Sequence, residues 1–249
     1  GSIAKNKKFI TSLIDDNPFI SKHYKENLLT LDSVSKERLL FGNWEYLDDP
    51  AQLIDYDKIL DSFTNTFVPI GDSFITCDVA RFGNDSTVIG IWSGFRVRFY
   101  QFNGKSVVEV AELINNFATE HKVPTSNIVC DEDGVGGGVV DILRCKGFVN
   151  NSSPLVNPVT RQKENFDNLK SQCYFKLADM VNKAELYIQA DGKQKQTIIQ
   201  ELEQVKQKSV DNDMKKGVIP KDKVKAAIGR SPDFSDCLAM RMFFEYSPR

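Results

Sequence analysis

The chain has 249 residues, 41% hydrophobic and 27% charged, enough for one large globular domain, or a domain with an appendage, around a real core. A net charge of −2 excludes a protein that is basic throughout, so any nucleic-acid function needs a local basic surface. No apolar run is long enough to cross a membrane, and five cysteines without Cys-x-x-Cys spacing argue for a reducing compartment and against a zinc site. 

Only two histidines occur, His23 and His121, and neither adjoins a nucleophile motif of the kind a Ser or Cys triad needs. The N-terminus lacks a signal-peptide pattern. Gly1-Ser2 in place of an initiator Met is expected to be a cloning remnant on a piece of a longer protein.

Residues 1–66 read as an arm or linker. Lys5 to Ile14 and Ser21 to Thr30 are amphipathic, Asp16-Asn17-Pro18 breaks them, and Ser33 to Leu40 is a third short helix. The main domain, 67–249, opens with strands at 73–79, 86–93 and 95–102 in a meander. Lys105 to Lys122 is a helix with Val107, Val110, Ala111, Ile114 and Phe117 on one face. Asn127 to Asp131 is a short buried strand. Glycines 134 and 136–138 turn into a helix through about Lys146. Leu155 to Val159 reads as a strand, Asn165 to Lys183 as a long helix, Leu186 to Ile188 as extended, and Gln194 to Val205 as a helix. Residues 206–219 read as a hairpin and Lys221 to Ile228 as a short helix. A last helix over 231–244 has Ser231 as N-cap and Pro232 at its first position. The fold class is α/β, a mixed sheet flanked by helices with a late β-hairpin.

Four acids at three stations are the candidates for chemistry. Asp78 ends the first strand, Asp131 ends the strand at 127–131, and Asp233 and Asp236 share one face of the last helix. If the two strands are parallel neighbours, Asp78 and Asp131 meet at their C-terminal ends, and a helix packed across the sheet delivers Asp236. Converging carboxylates repel unless hard divalent cations, Mg2+ or Mn2+, bind between them. Two such ions can activate water and stabilise the leaving oxygen in phosphodiester hydrolysis, with no need of histidine. Against this stand ordinary roles: helix-dipole stabilisation for Asp233, turn chemistry for Asp131, and capping beside Arg81 for Asp78. Asp85, Glu132 and Asp133 read as turn or surface acids. The glycine run matches neither G-x-G-x-x-G nor a P-loop. Between residues 193 and 230 ten Lys/Arg face five acids, a local excess of +5 in an otherwise negative chain, which alone reads as a solvated face.

Cys77-Asp-Val-Ala with Gly83-Asn-Asp85, Val129-Cys-Asp-Glu-Asp-Gly-Val-Gly-Gly-Gly138 and Gly229-Arg-Ser-Pro-Asp-Phe-Ser-Asp-Cys-Leu-Ala239 together resemble the acidic motifs of the C-terminal nuclease domain of tailed-phage terminase large subunits. Asp16-Asn-Pro-Phe, Tyr24, Leu28 and Leu39-Leu-Phe-Gly-Asn-Trp44 resemble that family's connection from ATPase to nuclease. The resemblance spans nearly the whole chain. It implies a ribonuclease H-like fold and a DNA endonuclease that cuts double-stranded concatemers during packaging, with little sequence preference. It implies that Asp78, Asp131 and Asp236 bind two catalytic metal ions, with Asp233 as auxiliary ligand or water-positioning group. Lys206, Lys208, Lys215, Lys216, Lys221, Lys223 and Arg81 become candidates for DNA phosphates. With no Walker A motif, no ATPase is expected in this chain. Implied partners are double-stranded DNA, the portal protein, the terminase small subunit and the ATPase domain of the same polypeptide, in the cytoplasm of the infected bacterium. The contrasting expectations are a non-catalytic docking module for portal or partner proteins and another nuclease of the same fold, such as a junction resolvase. A sugar-kinase-like ATPase would show an internal repeat, which the sequence lacks.

Overall fold

Ser73–Asp78 (β1), Thr87–Ser93 (β2) and Arg96–Phe102 (β3) form an antiparallel meander, as the alternating apolar runs and the turns between them predict. The computed structural model describes residues 50–80, 86–209 and 214–247. The chain divides into two units, 1–49 and 50–249, and every described residue lies in the second. The expected helices before residue 41 therefore lie outside the described residues, as do Arg81, Asp85 and the tip of the 206–219 hairpin.

Ile128–Asp131 (β4), Lys146–Phe148 (β5) and Tyr187–Gln189 (β6) complete one sheet of six strands, ordered β5-β4-β1-β2-β3-β6. The three late strands join in parallel: β4 on β1, β5 on β4 and β6 on β3. Central β1 and β2 are buried along nearly their whole length, so both sheet faces are covered. On one face, Ile75, Cys77, Ile89 and Ile91 pack with Val110, Ala111 and Ile114 of the helix Val107–Glu120 (α2) and Val139 of Gly136–Leu143 (α3). Ser106 and Glu109 form a capping box that starts α2.

The other face receives Leu169–Asn182 (α4), Gly192–Leu202 (α5), Lys221–Ile228 (α6), Asp233–Arg241 (α7) and the short Phe243–Tyr246 (α8). Helix α7 lies on β1 and β2. Phe234 meets Phe99 edge to face at 5.3 Å, and the Cys237 thiol donates to the Val88 carbonyl at 3.2 Å. Arg241, 2% exposed, stacks 3.9 Å over Phe74 and donates to the Gly94 carbonyl, which pins the far end of α7 at the start of β1. The N-terminal turn of α7 consequently lies toward the C-terminal end of β1. Residues 50–66 pack on the same body through the helix Tyr56–Asp61: Ile54 and Ile59 are fully buried, and Leu53 N–H donates to the Val205 carbonyl.

Four local expectations need correction. The glycine-led helix ends at Leu143, where Arg144 adopts left-handed backbone (φ 52), and the chain turns back as β5. Leu155 to Val159 is not a strand. The buried Gln172 side chain bonds both the N–H and the C=O of Leu155, taking the groups a ladder would need, and only an isolated Val156–Lys163 bridge remains. Helix α4 starts at Leu169, not Asn165, because Asn168 caps it by accepting from Ser171 N–H. Helix α7 starts at Asp233 with Pro232 as its N-cap residue, so Ser231 does not cap it.

Candidate active site

Side chains alternate along β1, so Cys77 faces α2 and α3 while Thr76 and Asp78 face α7. Thr76 accepts from the Trp92 indole on that side. The parallel register sets Cys77 beside Cys130, and Asp78 and Asp131 come next on their strands. The two acids therefore close adjacent strand ends on the face that α7 covers. Asp78 and Asp131 line one cleft with Asp133, Asp233 and Lys221.

Asp236 enters from above, one turn into α7, and is 7% exposed. Its Oδ1 accepts a hydrogen bond from Tyr174 OH at 2.6 Å and faces Lys170 Nζ at 2.7 Å. Its Oδ2 faces Lys221 Nζ at 2.7 Å, and that ammonium is also 3.6 Å from Asp78 Oδ2. At 3.6 Å the second contact is an ion pair without a hydrogen bond, and Asp78 Oδ2 is buried with no hydrogen-bond partner among the described residues.

Burial pushes the Asp78 carboxyl up to about 8; Lys221 opposes the shift, and the charges of Asp236, Asp233 and Asp131 add to it. Burial also works against a charged Asp236, yet Lys170 and Lys221 together outweigh it and hold that carboxyl well below the usual range. Asp131 is shifted up, chiefly by burial, with the Asp133 N–H opposing. The cleft thus stabilises negative charge on Asp236 and leaves Asp78 short of a counter-charge.

Asp131 is oriented through one oxygen. Its Oδ1 accepts from Asp133 N–H and from the Asn150 side-chain amide, both at 3.1 Å, and Asn150 also donates to Asp133 Oδ2 at 2.7 Å. The glycine run serves close packing: a Cβ on Gly136 would land on the Asp131 carbonyl, and one on Gly138 would crowd Val107.

Of the candidate DNA-binding residues, Lys221 lies in the acidic cleft, ion-paired with Asp236 and Asp78. Lys223 is exposed on α6. Lys206, half-buried, sits where the 206–219 segment pairs: Gln207 bridges Val218, and Ile219 N–H donates to the Lys206 carbonyl. Lys208, Lys215 and Lys216 are exposed, with Lys208 3.7 Å from Asp167. Residues that sequence reasoning missed are Lys170, Tyr174 and Asn150, which hold the acids, and Glu201 and Arg230, which brace the start of α7. Lys170 and Tyr174 are four apart in a helix, a spacing that puts them on one face; nothing in the pattern showed what that face meets.

An all-oxygen donor set of carboxylates, one of them buried without a hydrogen-bond partner among the described residues, suits a hard divalent cation. Among the described residues, no group of three or more His, Cys, Asp or Glu is drawn close enough to hold an ion as it stands, since Lys170 and Lys221 now occupy the Asp236 oxygens.

Adjacent strand ends carrying two acids, crossed by a helix carrying the third, define a ribonuclease H-like site on a mixed sheet of six strands. Residues 75–242 match the family described as Terminase RNaseH-like domain, and the chain belongs to that family. Among solved structures, the nuclease domain of the large terminase subunit gp2 of bacterial virus Sf6 is similar, with a TM-score of 0.67 at 20% identity, over 79% of this chain and 99% of that one. A point mutant of that domain with manganese and beta-thujaplicinol gives the same TM-score, 0.67, at 20% identity and the same coverage, 79% and 99%. A mutant gp2 structure with calcium has a TM-score of 0.65 at 20% identity over 76% and 98%. These likenesses are of fold. No curated protein sequence matches the chain.

Proposed function

We propose that this chain is the metal-dependent endonuclease domain of a terminase large subunit, cutting double-stranded viral concatemers during genome packaging with little sequence preference. The observation that carries the reading is the buried Asp78 Oδ2, without a hydrogen-bond partner among the described residues, at a strand end beside Asp131 and across from Asp236. In this reading Asp78, Asp131 and Asp236 would hold two ions, Mg2+ or Mn2+, with Asp233 assisting. Bound there, the ions supply Lewis-acid stabilisation of phosphate charge and a more acidic water.

The chain's own groups prepare the site. Lys170 and Tyr174 hold Asp236 by Oδ1 and keep it ionised, so that Oδ2 is the oxygen available once Lys221 withdraws. Asn150 and the Asp133 N–H fix Asp131 by Oδ1 and leave its other oxygen for the cleft. Lys206, Lys208, Lys215, Lys216 and Lys223 would meet DNA phosphates. Residues 1–66 would connect to an ATPase domain in the same polypeptide, with 67–249 as the nuclease, working in the bacterial cytoplasm with portal protein and small subunit.

The test is plasmid cleavage in Mg2+ or Mn2+. Asp78→Asn should abolish it while the circular dichroism spectrum is kept; full activity in that variant sinks the mechanism.

A docking module is the second reading, favoured by one observation: Lys170 and Lys221 already balance Asp236 without any ion. Calorimetric titration with Mn2+ separates the two. No heat from the wild type, with unchanged stability in Asp131→Ala, would favour docking.

A further inference from the structure

The segment between β5 and α4 leaves the acidic cleft and returns to it. It departs at Asn150, which bonds Asp131, and ends at Lys170, which pairs with Asp236. Two backbone bonds close its base, Lys170 N–H to the Asn150 carbonyl at 3.2 Å and Leu169 N–H to the Ser152 carbonyl at 2.8 Å. Its tip is a tight turn: Asn157 N–H donates to the Gln162 carbonyl, Arg161 N–H donates to the Asn157 carbonyl, and Val156 bridges Lys163. At about 3.3 Å per residue the seven residues from Asn150 to Asn157 can carry that tip at most roughly 23 Å from the acids.

Its charges are sorted. The carboxylate of Glu164 accepts from the side-chain amides of Asn157 and Gln172, and Asp167 faces Lys208. The acids are thus turned toward protein partners. Arg161 and Lys163 are exposed and make no ion pair or side-chain hydrogen bond among the described residues. Arg161 also holds left-handed backbone (φ 57), a conformation that favours glycine, while keeping a long cationic side chain outside. The arms are firmly built. Buried Gln172 pins Leu155 on one and Glu164 on the other. The basic 206–219 segment lies against the returning arm, with Lys216 N–H donating to the Asn165 carbonyl and Asp167 N–H to the Lys216 carbonyl.

We infer that the 151–168 excursion is a second DNA-contacting wall of the cleft, with Arg161 and Lys163 on the phosphates of the duplex being cut. Outward cations on a rigid turn, with Glu164 turned to side-chain amides and Asp167 facing Lys208, match a polyanion. The position of its base, between the partners of Asp131 and Asp236, sets that polyanion beside the acids. The inference takes its ligand, duplex DNA, from the nuclease reading above.

The test is fluorescence anisotropy of the full chain with a labelled duplex of about 30 base pairs, in EDTA so that nothing is cut, over a salt series. With a slope of about 0.9 per neutralised phosphate, the double variant Arg161→Ala/Lys163→Ala should flatten the plot of log affinity against log salt by roughly two and bind about tenfold more weakly at 100 mM NaCl. The swap Arg161→Lys/Lys163→Arg should restore the slope, and Lys122→Ala, beyond the other end of the sheet, should leave it within error. Unchanged affinity and slope in the double variant overturn the inference, as does a swap variant that stays flat. Either result leaves the nuclease reading standing if wild type cuts DNA and Asp78→Asn does not. A wild type that neither binds nor cuts duplex DNA overturns both.

Discussion

The Lys221 ammonium lies 2.7 Å from Asp236 Oδ2, on the cleft side of that carboxylate and within 3.6 Å of Asp78. A divalent ion held by the same oxygens must displace it, so cation and lysine compete. Lys221→Ala removes the competitor and also strips the metal-free cleft of a counter-charge. The side chain is 33% exposed, so solvent screens part of the effect. Calorimetry should show Mn2+ binding roughly tenfold tighter, an energy of about 1.4 kcal/mol. The melting temperature in EDTA should fall, and Mn2+ should raise it more than in wild type. Weaker Mn2+ binding in the variant would mean that Lys221 supports the ion instead.

Asp78 makes the metal-free protein sensitive to pH. Its carboxyl is pushed up to about 8 by burial, from a value of 3.8 in the open chain. The folded state therefore binds the extra proton between those values, and stability falls as pH rises through that window. Asp236 works the other way: its charge is favoured in the fold, and its contribution is lost only as pH falls below the usual carboxylate range. Urea unfolding in EDTA should show the wild type losing on the order of a few kcal/mol between pH 5.5 and 8. Asp78→Asn, neutral at both, should flatten much of that slope and be the more stable protein at pH 8. Parallel curves for the two proteins would reject the assignment.

The strand-end placement of Asp78 and Asp131 was legible in the sequence because each closes an apolar run, and strand alternation fixes which face it takes; Asp236 was legible only as sharing a helix face with Asp233. In the sequence the parallel contact of β1 with β4 is only a condition, since β2, β3 and a helix lie between them, and the register supplies it. The partners were not legible. Lys170 and Tyr174 precede Asp236 by more than 60 residues, and only the packing of α4 on α7 unites them. Lys221 was legible as a cation but not as a partner of Asp236 and Asp78, because charge on a helix carries no information about depth. Leu155 to Val159 has a strand's composition, but a buried glutamine from α4 claimed its backbone groups. Short β5 escaped because three residues between a helix and a turn hold no periodicity.

Gly136 marks where backbone crowding sets the site. The Cβ of Gly136→Ala would fall on the Asp131 carbonyl, so either α3 or the end of β4 must move. Overpacking of this kind costs about 1–3 kcal/mol. Because the displaced residue carries the second acid, Mn2+ affinity should drop at temperatures where the variant is still fully folded. Gly134→Ala is the control. Its φ is 72 with nothing near the added carbon, so it should cost about 1 kcal/mol and leave Mn2+ binding as it was. Equal Mn2+ affinity in both variants would show that the Gly136 contact does not place Asp131.

The start of α7 rests on one buried ion pair. Glu201, 1% exposed, accepts from Arg230 Nη1 at 2.7 Å through one oxygen and from Ser235 N–H at 2.8 Å through the other. Arg230 also donates to the Thr197 carbonyl and the Gln200 side chain, so it ties the loop before α7 to α5. Burial pushes the Glu201 carboxyl well up, while Arg230 and the Ser235 N–H favour its charge. Glu201→Ala strands a backbone donor in the first turn of α7 and a guanidinium beside it, and should cost about 3–5 kcal/mol in urea unfolding. Arg230→Ala should cost about 2–4 kcal/mol, since the arginine is partly exposed. In the double-mutant cycle the pair should couple by about 2 kcal/mol or more. A coupling near zero would mean that the ion pair does not hold the helix bearing Asp233 and Asp236, and that its packing on β1 and β2 alone does.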